Sequence, residues 1–132
     1  MPRTLPCDRL RYLGLALVTI GLGLAVHLHG AALGTAARDV AGDALWAAMM
    51  TWWIGVVAPT ARPVARGVVA YAICVAVEFS QLLHAPGLDA VRATRAGHLV
   101  LGSGFDPRDL AAYAVGVIVA LLIDRTLMAR WR

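Results

Sequence analysis

The sequence predicts an all-α integral membrane protein. The expected form is a four-helix transmembrane bundle, with a partly re-entrant or amphipathic loop between helices 3 and 4, in one domain over residues 1–132. Three observations carry this prediction. The chain is 60% hydrophobic and only 15% charged, against about 25% charged in an ordinary soluble domain, and its mean hydropathy is +0.71. A soluble domain this small has too much surface to cover with so few charges. The charges are also bunched: Tyr12–Ala37 holds none over 26 residues and Ala44–Ala61 none over 18, runs that suit a bilayer span. Finally, the alternation of a barrel strand is absent, so helices must satisfy the backbone inside the bilayer.

The first span is expected over Leu10–Leu28. Basic residues precede it, as in a signal peptide, but the run is long enough to span and cleavage near Ala36 would leave a very small remainder. Gly14, Gly21 and Gly23, with Thr19 among them, form its expected packing face, because small residues let helices approach closely. The second span is expected over Asp43–Ala58, with Asp43 after Gly42 placed as a helix N-cap. Pro59 and Pro63 punctuate the turn that follows, and Pro86-Gly87 stops a third span expected over Val64–Leu83.

The fourth span, Asp109–Leu127, is short of apolar length. Its uncharged part, Leu110–Ile123, has fourteen residues, about 21 Å at 1.5 Å per residue against a hydrocarbon core of ~30 Å. Either Asp109 or the Asp124-Arg125 pair must therefore approach membrane depth. Arg125 can snorkel to the interface, whereas an aspartate stem is too short.

Arginine placement predicts orientation. Arg3, Arg9, Arg11, Arg62, Arg66, Arg125, Arg130 and Arg132 fall on the side of the termini and the second loop, and Arg38, Arg92, Arg95 and Arg108 on the other. Eight against four predicts both termini in the cytoplasm. Asp39, Asp43, Asp89, Asp106 and Asp109 are all on the outer side.

Two polar stripes converge near that outer end. Tyr71, Cys74, Glu78 and Gln81 recur at i, i+3, i+7 and i+10, as do Asp106, Asp109, Tyr113 and Gly116, so each set shares one helix face. Ionisable residues at membrane depth are costly and face a bundle interior with a partner. Asp106 and Asp109 also suit the start of the fourth helix, as a cap and a first-turn acid. Glu78 has no such role in its own helix, since it lies near the C-terminal end, where the dipole disfavours an anion. Arg92 or Arg95 is its expected partner.

The third loop is the longest. Leu88 and Val91 face one way and Asp89, Arg92 and Arg95 the other, the pattern of a short amphipathic helix at the interface. The apolar segment Gly97–Phe105 is expected to dip back between the helices as a re-entrant lip. Arg92 and Arg95 beside it are suited to forking onto a phosphate or carboxylate.

Several function classes are excluded. The pI of 9.8 comes from Arg alone, and these residues flank apolar runs without forming the continuous stripe a nucleic acid needs. Cys7 and Cys74 imply no disulfide framework. His27, His29, His84 and His98 form no convincing metal set, since His27 and His29 point apart on a helix. Trp46, Trp52, Trp53 and Trp131 suit interfacial belts or packing. No phosphate-binding loop, dinucleotide fingerprint or nucleophile elbow is present.

Several ordered motifs resemble one bacterial membrane family. They are Gly42–Ala47, Glu78–Leu82, Leu88–Thr94, Gly97–Gly102, Phe105 and Asp109–Tyr113. The family is the domain-of-unknown-function family 2809, and the resemblance covers nearly the whole chain. It implies a small four-helix inner-membrane protein and assigns no activity. A more distant similarity is to the VanZ-like family, associated with teicoplanin resistance and the cell envelope. It rests on Glu78-x-x-Gln81, a following Arg, and Asp109 with Gly116 seven residues on. The sequence departs from that pattern at Tyr113, where an Asn is usual, and has Gly87 where closer relatives often place an aromatic.

These residues predict an outer-leaflet polar pocket that holds a membrane lipid or lipid-linked envelope molecule, without cofactor or metal. Asp43, Trp46, Gln81, Arg92, Arg95, Asp106 and Tyr113 are its candidate ligand-binding residues. A second reading is an intramembrane enzyme acting on an isoprenoid or other lipid, with Glu78 and Asp109 as an acid–base pair. A third is a structural or assembly module in which the stripes hold the helices together.

Overall fold

A computed structural model describes residues 5–102 and 104–130. Arg3, Ser103, Trp131 and Arg132, used above for orientation, loop and belt, lie outside the described residues. The chain runs α1 (Leu5–His29), a 3-10 turn (Gly30–Leu33), α2 (Thr35–Val57), α3 (Pro63–Ser80), α4 (Pro86–Arg92), α5 (Arg95–Leu101) and α6 (Pro107–Arg130). Four segments are long and apolar enough to cross a membrane: Leu5–Leu33, Thr35–Val57, Pro63–Ser80 and Pro107–Leu127. The protein is an all-α membrane bundle of four spanning helices joined by short connections, with α4 and α5 between the third and fourth.

Proline and glycine set the connections. Gly34 adopts φ +82 between the 3-10 turn and α2, a conformation in which a side chain is strained. Pro63 opens α3 at its first position, where the missing N–H costs nothing. The second helix begins eight residues before the expected Asp43. The charged pair Arg38-Asp39 marks the edge of the apolar run, not of the helix, and the Arg38 stem packs beside Gly30. Asp43 therefore lies two turns inside α2 and is not its cap.

The interior inverts the soluble pattern. Large apolar side chains such as Leu10, Val64, Val68 and Leu122 are exposed, while Arg66, Glu78, Gln81 and Asp124 are buried. Outward-facing apolar surface is what lipid solvates, and small or polar residues knit the helices inside. Helices α2 and α6 form the centre, with α1 on α2 and α3 against both. One buried cluster joins Tyr12, Ala16, Trp52 and Ala120, and another joins Ala47, Ala70, Cys74, Tyr113 and Val117.

The glycines that permit close approach are not the expected ones. A Cβ at Gly14, Gly21 or Gly23 would meet nothing within 4 Å. At Gly116 it would fall on the Ala44 carbonyl, at Gly67 it would lie 2.8 Å from Leu121 Cδ1, and at Gly55 2.7 Å from the Tyr12 ring. Helix α1 instead buries Tyr12, Ala16 and Thr19, and Trp52 Nε1 donates to Thr19 Oγ1 at 3.1 Å.

Candidate functional site

At the end of the bundle that carries α4 and α5, the two polar stripes meet. Glu78, two residues before the end of α3, is fully buried. It accepts from the Asp106 N–H at 2.8 Å and from the Tyr113 hydroxyl at 2.8 Å. Asp106 in turn caps α6, its Oδ1 accepting from Arg108 N–H at 2.9 Å. The dipole of α3 disfavours an anion at Glu78, but the N-terminus of α6 favours one. The α6 terminus and a tyrosine, not an arginine, answer the need for a partner.

The expected Glu78–arginine pair is thus absent among the described residues. The Arg92 guanidinium donates to the carbonyls of Ser80 and Leu83 and pairs with Asp89 at 3.3 Å. These carbonyls lie at and just beyond the end of α3, where helix carbonyls lack intrahelical partners, and the return of α4 brings Arg92 over them. Arg95 is exposed, in a separate helix from Asp89 and Arg92. The break falls at Thr94, whose Oγ1 caps α5 by accepting from Gly97 N–H at 2.9 Å.

The expected re-entrant lip is helical over most of its length, as α5. It is held down where Phe105 packs on Phe79 with ring centroids 5.3 Å apart. Gly102, just past α5, has φ +68, and a Cβ there would collide with the Gln81 amide. The loop and the end of α3 therefore fit together only through a glycine.

Beneath this cover lies a cavity of about 950 Å³. Asp43, Trp46, Gln81, Asp106, Asp109 and Tyr113 all line it, whereas Glu78, Arg92 and Arg95 do not. Asp43 and Asp109 lie within hydrogen-bonding reach of each other across the α2–α6 contact. Asp39, one turn before Asp43, and Trp53 also line the cavity. The i, i+4 spacing of the two aspartates was a sequence signal for Asp39, whereas nothing in the sequence marks Trp53 apart from the other tryptophans. Along α2 the lining runs from Arg38 to Trp53, about 22 Å at 1.5 Å per residue. The acids of the lining gather near α5, with Arg38, His27 and His98 among them, and toward Met50 and Trp53 the lining is apolar. Among the described residues no set of three or more His, Cys, Asp or Glu side chains converges to hold a metal ion.

The opposite end holds a second buried polar cluster. Arg66 Nη2 pairs with Asp124 Oδ2 at 2.5 Å, its Nη1 donates to the Pro59 carbonyl, and Tyr12 donates to Asp124 Oδ1 at 2.9 Å. The guanidinium also lies over the Tyr12 ring, 4.7 Å from its centroid. Asp124, too short to snorkel, is matched inside the bundle. Its partner Arg66 stands three residues into α3, beyond the loop position its neighbour Arg62 keeps.

No solved structure matches the chain. A family model described as a protein of unknown function (DUF2809) matches residues 32–117, more than half of the chain and the stretch that holds every cavity acid, and the chain belongs to that family.

Proposed function

We propose that this protein binds a membrane lipid or lipid-linked envelope molecule in the cavity beneath α5. The observation that carries this reading is the gradient along the cavity wall. Asp39, Asp43 and Asp109 stand at one end, and Met50 and Trp53 lie about two and three helical turns beyond Asp43. An amphiphile has the same gradient: a polar head near the interface and an apolar chain toward the bilayer centre. The reading includes a bacterial inner membrane with both termini in the cytoplasm, supported by the eight-to-four distribution of arginine. The cavity then opens to the outer leaflet.

Gly42 supplies the test. It lines the cavity, and a Cβ there would meet nothing within 4 Å. Gly42→Leu therefore starts its side chain in open space on the cavity wall. The expected result is a folded variant that loses the lipid co-purifying with the natural protein in mild detergent, read by native mass spectrometry. A natural protein that is consistently bare, or a variant that retains the same lipid in full, overturns the proposal.

The enzymatic reading gains one specific observation but at a different pair. Asp43 and Asp109 both line the cavity and face each other, whereas Glu78 is outside the lining with both oxygens engaged. Any proton transfer to a bound lipid would fall to Asp43 and Asp109.

A further inference from the structure

Three acceptors line the α5 end of the cavity: the carboxyls of Asp43 and Asp109 and the side-chain oxygen of Gln81. Asp43 and Asp109 face each other there, and two opposed carboxyls need a proton or a cation between them. Gln81 lines the same cavity, is only 7% exposed, and its Oε1 has no hydrogen-bond partner. A buried acceptor without a donor costs about 1–3 kcal/mol, so a ligand that donates to it is favoured. The Gln81 position is fixed, because it caps α3 and its amide is pressed against Gly102.

Charge in the lining points the same way. Asp39, Asp43, Asp106 and Asp109 line the cavity against one guanidinium, that of Arg38, and two imidazoles, those of His27 and His98, so its permanent charges are mostly negative. Arg92, the arginine best shaped to fork onto a phosphate, is held on the end of α3 instead. We infer that the cavity selects a primary ammonium carried on an apolar chain. An ammonium has three donors and no acceptor, and Asp43, Asp109 and the Gln81 oxygen provide three acceptors. Its chain would follow the wall toward Met50 and Trp53. This inference rests on the lipid-binding reading above and specifies its ligand class.

Two sources present that chemistry: the head group of phosphatidylethanolamine and a free alkylamine. The experiment uses the purified protein in a non-ionic detergent, with native mass spectrometry as the readout. Dodecylamine, dodecanol, phosphatidylethanolamine and phosphatidylglycerol are offered at equal mole fraction. The expected result is retention of dodecylamine at least tenfold above dodecanol, with the preference lost in Asp43→Asn/Asp109→Asn. Phosphatidylethanolamine retained above phosphatidylglycerol would then identify the source as the lipid head group, and equal retention of those two would identify a free amine. If dodecanol binds as well as dodecylamine, the ammonium inference is overturned while lipid binding stands. If none of the four binds, both readings fall. The natural protein alone decides between amine and alcohol, so a poorly folded variant leaves the result intact. A folded double variant with the preference unchanged also overturns the inference.

Discussion

Arg66 and Asp124, 58 residues apart, close an ion pair at 2.5 Å with each side chain under 5% exposed. The pair locks α3 to α6, and the Tyr12 hydroxyl on Asp124 draws α1 into the same joint. The Pro59 carbonyl under Arg66 adds a further acceptor that helps to offset the burial of the two charges.

Removing one partner should therefore cost more than removing both. Asp124→Leu leaves Arg66 buried and unpaired, which is expected to destabilise the bundle by ~3–5 kcal/mol. Arg66→Met/Asp124→Leu should recover most of that loss, since a buried pair replaced by apolar groups of similar volume is often nearly neutral. Denaturation of the four proteins of this cycle in detergent measures the coupling. Strictly additive losses would show that the pair contributes no mutual stabilisation.

The glycines make a second contrast. Gly116 lies where a Cβ would overlap the Ala44 backbone, whereas Gly14 and Gly21 have open space. Gly116→Ala should separate α2 from α6 and destabilise the bundle by ~1–3 kcal/mol, the range for overpacking a close contact. Gly14→Ala and Gly21→Ala should be neutral or slightly stabilising, because alanine restricts the unfolded chain. Thermal melts of the three variants in one detergent check the ranking.

How far the sequence reveals these features depends on the distance over which each is encoded. The four spans are legible because a charge-free run is a local property. The polar faces are equally legible: Cys74, Glu78 and Gln81 are buried, as their spacing implies. Partners are not legible in the same way. The sequence points Glu78 to an arginine because it shows which residue needs compensation but not which helix end arrives beside it. The α6 terminus, 28 residues on, supplies it. The start of α2 is hidden for a related reason. A charged pair ends an apolar stripe, but Arg38 and Asp39 keep the backbone helical and point to the surface and the cavity mouth. The Arg66–Asp124–Tyr12 joint gathers three helices, so no single window of sequence contains it.

Gly102 connects the loop to the cavity. Its φ of +68 and its contact with the Gln81 amide mean that Gly102→Ala must shift either α5 or Gln81. The four spanning helices do not depend on this contact, so the melting temperature should change little. Lipid retention in native mass spectrometry should fall several-fold, because the shifted group lines the cavity. A melting temperature that drops with retention would instead make the loop part of the folding core.

Glu78 distinguishes a positioning role from a catalytic one. Its two oxygens accept from the Asp106 N–H and the Tyr113 hydroxyl. Glutamine at this position keeps both contacts, since its oxygen accepts from one partner and its amide nitrogen donates to the tyrosine oxygen. Glu78→Gln should therefore melt close to the natural protein and retain the same lipid. Glu78→Ala strands a buried hydroxyl and a partly buried N–H and opens a void, an expected loss of ~3–5 kcal/mol by analogy with other broken buried networks. Tyr113→Phe removes one of the two contacts and should fall between them. A Glu78→Gln protein that folds, binds lipid and yet loses a cellular phenotype would contradict this order, because only chemistry at the carboxyl separates it from the natural protein.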